Sequence, residues 1–349
     1  MTSPLIDNNI LNQIIRLIND SERIVITCHK SPDGDAVGSS LGLALALQAL
    51  EKETRVVTPD RPPKSLRSLP SVKSIVPFSQ QPLLAERLLS DADLIFCLDF
   101  NALNRVDLLR SALEHSPAKK ILIDHHRDPE LFADITVSRP DQSSTSVLVY
   151  RIMMLMGMSR QINKNVATCI YTGMMTDTGN FSFNSNDPEL YLIIADLLKR
   201  GIDKDCIYKK VMNTKSANVL KLHSFAIAEK MQIFPELHTA LIVLTADDLK
   251  RFDYQPGDDE SLVNQPLAIE GIVYSVYLRQ DARQIKVSTR SVGDFRADLI
   301  CNRFYNGGGH INAAGGELHG TLDDAIAVFN KTKPVIKEYI IKSPKINEA

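Results

Sequence analysis

The sequence lacks an excess of either charge, a thiol pair and a long apolar run. Lysine and arginine number 40 against 42 acidic residues, a formal net charge of −2. That balance excludes a protein that coats long nucleic acid, because such binding draws its affinity from neutralising many phosphates. A small anion held by a few local charges stays compatible. The five cysteines, Cys28, Cys97, Cys169, Cys206 and Cys301, are scattered, odd in number and without a C-x-x-C pair. Neither a disulfide framework nor a thiolate zinc site follows, and buried thiols in a reducing compartment are expected. No apolar stretch nears the roughly 20 residues that span a bilayer. Residues 1–15 carry Asp7 and lack the basic start and apolar core of a signal peptide. The expectation is a cytoplasmic protein with no membrane contact.

What is present is a 349-residue chain, 44% hydrophobic and 23% charged, long enough for two domains. The chain is organised around Cys28-His29-Lys30-Ser31-Pro32-Asp33-Gly34-Asp35, which follows the apolar run Ile24-Val25-Ile26. Strand, polar loop and then an apolar helix from about Ser39 to Leu50 are expected. In open α/β sheets ligands sit at the carboxyl ends of strands. One imidazole and two carboxylates there suit Mn²⁺-like or Mg²⁺-like ions better than thiophilic ones. An Asp-Gly turn after a strand is common without any metal, so recurrence is what counts. It recurs: the apolar run Leu94 to Leu98 delivers Asp99, and Ile121-Leu122-Ile123 delivers Asp124-His125-His126. Unpaired charges at three strand ends would be costly without a shared purpose. Asp177, between Gly173 and Gly179 at the end of a helix starting near Asn163, adds another carboxylate.

Strand patterns with a gap for one long loop, 252–266, mark the C-terminal part, followed by Asn306-Gly307-Gly308-Gly309-His310 and a closing helix over 322–341. Glycine amides can approach a phosphate closely, and Arg290 with His310 reads as a substrate clamp. The fold class expected is α/β: a doubly wound, mostly parallel sheet with helices on both faces, plus a smaller α+β C-terminal domain across a cleft. Boundaries are expected at 1–200, a helical linker at 201–235, and 236–349. His29, Asp33, Asp35, Asp99, His125 and Asp177 give donors enough for two divalent ions, which can activate water and stabilise a leaving oxygen without a protein nucleophile.

These motifs resemble those of the DHH phosphoesterases with a DHH-associated C-terminal domain. His29 to Ala36 is similar to the first motif, Asp99 to the second, Asp124-His125-His126 to the third, Asp177 to the fourth and Asn306 to His310 to the glycine-rich C-terminal motif. The resemblance implies His29, Asp33 and Asp99 on one metal, and Asp35, Asp99, His125 and Asp177 on the other, with Asp99 bridging. It implies catalytic roles for Asp99, Asp124 and His126, with substrate held by Arg290, Gly307, Gly308, Gly309 and His310. Two Mn²⁺ ions are implied, with Mg²⁺ or Co²⁺ as substitutes. Within the family the architecture is similar to the nanoRNase and pAp-phosphatase branch. That branch acts on very short oligoribonucleotides and on 3′-phosphoadenosine 5′-phosphate (pAp), and a homodimer is the family-level expectation. The competing readings are a phosphodiesterase for linear dinucleotides such as pApA or pGpG, an inorganic pyro- or polyphosphatase, and a nucleotide-binding regulator without turnover. Asn306 stands where the family commonly has glycine, and Phe100 and Asn101 differ from the small hydroxylated residues common after Asp99; both bear on substrate preference.

Overall fold

Four short runs of β-branched and apolar residues become buried strands because helices can cover both faces at once. The computed structural model describes residues 5–259, 261–282 and 284–342. The chain divides into two compact units, the first ending at Thr214 and the second beginning at Lys215. The first contains, in order, α1 (Asn8–Asp20), β1 (Arg23–Thr27), α2 (Gly34–Gln48), β2 (Glu53–Thr58), β3 (Val76–Pro77), α3 (Pro82–Asp91), β4 (Leu94–Leu98), α4 (Arg110–His115), β5 (Lys119–Asp124), β6 (Ile135–Ser138), α5 (Thr145–Leu155), α6 (Lys164–Asp177), α7 (Pro188–Lys199) and α8 (Lys204–Val211). Its strands lie in the order β3-β2-β1-β4-β5-β6 with every pairing parallel. Alternation divides each central strand between two cores. Ile24, Ile26, Phe96 and Ile123 pack with α2, α5 and α6, whereas Val25, Ile95, Cys97 and Leu122 pack with α3 and α4.

The strand order reverses between β1 and β4, which are hydrogen-bonded neighbours. Such a switch point opens a crevice at the carboxyl ends of the two strands. His29 and Asp99 follow β1 and β4 there.

Helix α2 starts at Gly34, earlier than the apolar pattern from Ser39 suggests. The reason is the Asp33 side chain, which caps it by accepting hydrogen bonds from the Asp35 and Ala36 amides at 3.0 Å each. Asp35 therefore sits in a first helical turn and not in a loop. The helix carries Gly34, Gly38 and Gly42 on one stripe against α6. A Cβ at Gly38 would stand 2.5 Å from the Cys169 carbonyl oxygen and 2.9 Å from the Gly173 nitrogen. Gly34 meets Thr176 and Gly42 meets Ile170, so the two helices run antiparallel in backbone contact. This brings the start of α2 beside the end of α6.

The second unit contains α9 (Ala217–Phe225), β7 (Met231–Phe234), β8 (Thr239–Leu244), α10 (Ala246–Arg251), β9 (Tyr274–Gln280), β10 (Ile285–Ser291), α11 (Ala297–Phe304), β11 (Gly308–His310), β12 (Ala313–Leu318) and α12 (Leu322–Lys342). Its sheet has the order β11-β12-β10-β9-β8-β7, antiparallel except for the β8–β9 pair. The helical stretch expected over 201–235 breaks after Val211, and Ser216 caps the new helix through the Val219 amide at 3.3 Å. Among the described residues no helix is long and apolar enough to cross a membrane.

Candidate metal centre

The centre is built from the residues after β1, β4 and β5 and from the two helix ends that the glycine stripe joins. His29 donates from Nδ1 to the Lys30 carbonyl at 2.8 Å. A carbonyl can only accept, so the neutral ring carries its proton on Nδ1 and turns the Nε2 lone pair away. Nε2 faces Asp33 Oδ2 at 3.7 Å and Asp99 Oδ2 at 3.4 Å. His125 repeats the device. Its Nδ1 donates to the Gln142 carbonyl at 3.2 Å, and Nε2 faces Asp99 Oδ1 at 3.6 Å, Asp177 Oδ2 at 3.5 Å and Asp35 Oδ2 at 4.0 Å. An Nδ1–H held by a carbonyl behind a ring whose Nε2 looks at carboxylates is the usual outer support of a metal-ligating histidine.

Asp99 has one oxygen toward each histidine. Its backbone is left-handed, with φ +64°, a conformation that aspartate tolerates better than most residues. The Thr145 hydroxyl donates to Asp99 Oδ1 at 2.8 Å. Asp35 accepts the Thr145 amide at 2.6 Å and the Ser146 amide at 2.8 Å, so the amino end of α5 holds both of its oxygens. His126 donates from Nδ1 to Asp124 Oδ1 at 2.7 Å, which fixes its tautomer with Nε2 as the lone-pair nitrogen. Asp124 is fully buried, and its Oδ2 has no hydrogen-bond partner.

The charges of the centre answer one another. Burial alone would lower the His29 pKa, but Asp33 and Asp99 overcome it and hold the ring well above the ordinary value. Burial likewise opposes protonation of His125, and Asp177, Asp99 and Asp35 carry it up to about 9. Burial pushes Asp177 up to about 7 and, with the Asp99 and Asp177 charges, lifts Asp35 as well. Asp99 goes the other way: burial would raise it, but His29, His125 and His126 hold it well below the carboxylate range. Protons on the imidazoles thus balance the charge of the acids around them. Ligand atoms group as His29, Asp33 and Asp99, and as Asp35, His125 and Asp177, each set within 4.8 Å. Nitrogen and carboxylate oxygen donors without thiolates fit a Mn²⁺-like or Mg²⁺-like ion.

All the ligand candidates read from the sequence come together here. The sequence reading missed Gln142, Thr145 and Ser146, which hold His125, Asp99 and Asp35. A Ser-Ser-Thr-Ser run opening an apolar helix was the available signal.

In the second unit, Arg290 on β10 and His310 on β11 both pair with Ala313 of β12. They occupy one row of the sheet, so their side chains leave the same face. The glycines between Asn306 and His310 divide by role. A Cβ at Gly307 would meet the Gly315 oxygen at 1.9 Å and one at Gly309 the Ala313 oxygen at 2.4 Å, whereas Gly308 has open space. Packing against β12 therefore accounts for two of them. Asn306 adopts φ +48°, the conformation in which asparagine can replace glycine.

Comparison with known proteins agrees with this picture. The N-terminal domain of the DHH family matches residues 23–174, and the DHHA1 domain matches residues 238–333. The chain is 33% identical to the bifunctional oligoribonuclease and PAP phosphatase NrnA of Thermus thermophilus, over 92% of this chain and 91% of that one. An exopolyphosphatase-related protein from Bacteroides fragilis superposes with a TM-score of 0.91 at 44% identity, covering 97% of this chain and all of its own. RecJ from Thermus thermophilus in complex with Mn²⁺ superposes with a TM-score of 0.52 at 14% identity, over 98% of this chain and 56% of that one, a likeness of fold. The matched domains, and the relative that shares a third of its residues along nearly the whole length, make this chain a member of the DHH family.

Proposed function

We propose that the chain is a phosphoesterase that hydrolyses very short oligoribonucleotides to mononucleotides and pAp to AMP, using two divalent ions, with Mn²⁺ as the working ion. The observation that carries the reading is Asp99, whose two oxygens face two histidines with separate carboxylate partners. His29, Asp33 and Asp99 would hold one ion, and Asp35, Asp99, His125 and Asp177 the other. Together the ions would supply the Lewis acidity that activates water for attack on phosphorus and stabilises the departing oxygen.

The rest falls to the chain's own side chains. Thr145, Ser146 and the Gln142 carbonyl hold Asp99, Asp35 and His125 in place. Asp124 keeps His126 in the tautomer that leaves Nε2 as an acceptor for a proton of the substrate or of a water. Arg290, with Gly308 and His310 in the same part of the sheet, would hold the substrate's distal part. The near-zero net charge suits a short substrate. The name of the Thermus relative supports the same substrates, and that of the Bacteroides structure makes inorganic polyphosphate the control to run.

The test is a Mn²⁺-supported assay on a ladder of RNAs from the dinucleotide upward, with pAp, pyrophosphate and polyphosphate alongside. Loss of the shortest RNAs and of pAp is expected, and activity confined to the inorganic substrates would overturn the reading. Asp99→Ala should lose more than the 10–100-fold that removing an outer-shell support costs. Full turnover by that variant would remove Asp99 from the centre.

A further inference from the structure

We propose that Arg151 is a positioning residue for the ion assigned to Asp35, His125 and Asp177, acting on it through the peptide carbonyl of Gln142. The proposal rests on the two-ion reading above and adds to it a residue outside the donor set. Residues 142–146 hold three donors at once. The Gln142 carbonyl accepts His125 Nδ1 at 3.2 Å, the Thr145 and Ser146 amides donate to Asp35, and the Thr145 hydroxyl donates to Asp99. What fixes this segment therefore decides how well those donors are placed. Its helical end is fixed by Ser144, which caps α5 through the Val147 amide at 3.1 Å. Its other end is fixed by the buried side chain of Gln142, whose Nε2 donates to Asp141 Oδ2 at 3.1 Å and whose Oε1 accepts Arg151 Nη1 at 2.8 Å. A carboxylate only accepts and a guanidinium only donates, so the amide has one orientation. Arg151 is itself anchored, its Nη2 lying 3.0 Å from Glu189 Oε2 of α7.

Close packing is interrupted at this point. A cleft of about 220 Å³ lies between the segment and the start of α7, lined in part by Gln142, Ser143, Asn184 and Asp187, and the Arg151 fork meets a partner on each side of it. A guanidinium suits that place because its two Nη groups donate in different directions at once, which a single ammonium on a flexible stem does less well. Without it the buried Gln142 Oε1 loses a charged donor, a loss that exceeds that of a neutral hydrogen bond. The amide can then turn and carry the Gln142 carbonyl away from His125. At 3.2 Å that carbonyl bond is already at the long end of the range, so a small retreat breaks it. The ring is then no longer held with its Nε2 lone pair toward Asp35 and Asp177. His29 takes its support from the Lys30 carbonyl, which has no part in this chain of contacts. The effect of Arg151 should therefore fall on one ion and spare the other.

The experiment is a calorimetric titration of Mn²⁺ into the metal-free full chain, for the wild type, Arg151→Gln and Arg151→Lys, with Asp177→Asn marking the binding step that belongs to this ion. Arg110→Gln, which breaks only an exposed pair with Glu114, serves as control. Arg151→Gln is expected to weaken the marked step about 10-fold, the lower end of the range for removing a direct support, because Arg151 stands one residue further out. The other step and the melting temperature should stay close to those of the wild type. Arg151→Lys should fall between, and it carries the test if the glutamine variant does not fold. An unchanged marked step, or an equal loss in both steps, would overturn the role of Arg151 alone. A wild type that binds fewer than two Mn²⁺ ions would overturn the two-ion reading and this proposal with it.

Discussion

Asp35 shows how far side chains alone can be read. Its carboxylate was visible in the sequence as the second acid of Asp33-Gly34-Asp35, yet what holds it is the backbone of Thr145 and Ser146, for which the hydroxylated run opening α5 marks a helix start but not the carboxylate it binds. The ligand candidates were legible because each follows an apolar strand or ends an apolar helix; their supports are amides and carbonyls from remote positions. Thr145 is the exception that a substitution can reach. Thr145→Val keeps the shape, removes the donor to Asp99 Oδ1, and should weaken metal binding or turnover about 10–100-fold; titration of Mn²⁺ checks it. Protons give a second test. In the metal-free protein His125 is raised to about 9 and Asp177 to about 7. At pH 7.5 the raised His125 still holds its proton, which an incoming ion must displace, so binding should release protons and tighten as pH rises toward 9. Calorimetry in two buffers of different ionisation enthalpy measures this, and heats independent of buffer would contradict it.

Elements differ in how plainly the sequence announced them. Strands β1, β4 and β5 read as continuous apolar runs because a parallel sheet buries both faces. By contrast, β12 begins Ala313-Ala314-Gly315-Gly316, too poor in β-branched residues to look like a strand, and β3 has two residues. The pairing of α2 with α6 was also hidden, since Gly34, Gly38 and Gly42 look like interruptions of a buried helix until their neighbour is known. The stripe predicts its own test. In Gly38→Ala the new methyl would lie 2.5 Å from a backbone oxygen that cannot move aside, so overpacking should cost about 1–3 kcal/mol. Denaturant unfolding should register the loss, and Mn²⁺ affinity should fall with it, because Asp35 and Asp177 depend on how closely these helices approach. Unchanged affinity at reduced stability would separate the stripe from the centre.

At the scale of the whole molecule, the division of cores matters most. The two clusters that cover the parallel sheet draw only on residues before Thr214, and the two in the second unit only on residues after it. Every candidate metal ligand lies in the first unit, and Arg290 and the glycine run lie in the second. If each unit buries its own apolar surface, each should fold alone. A fragment ending at Thr214 is then expected to unfold cooperatively and to bind Mn²⁺ within a few-fold of the full chain, since no proposed ligand has been removed. It should nevertheless turn over short RNA poorly, because the residues proposed to hold the substrate's distal part are gone and positioning contributes much of a phosphoryl-transfer rate. Calorimetric Mn²⁺ titration beside the dinucleotide assay reads both quantities. A fragment as active as the full chain would leave the glycine run without a part in the reaction, and one that binds no Mn²⁺ would show that the centre needs the second unit to form.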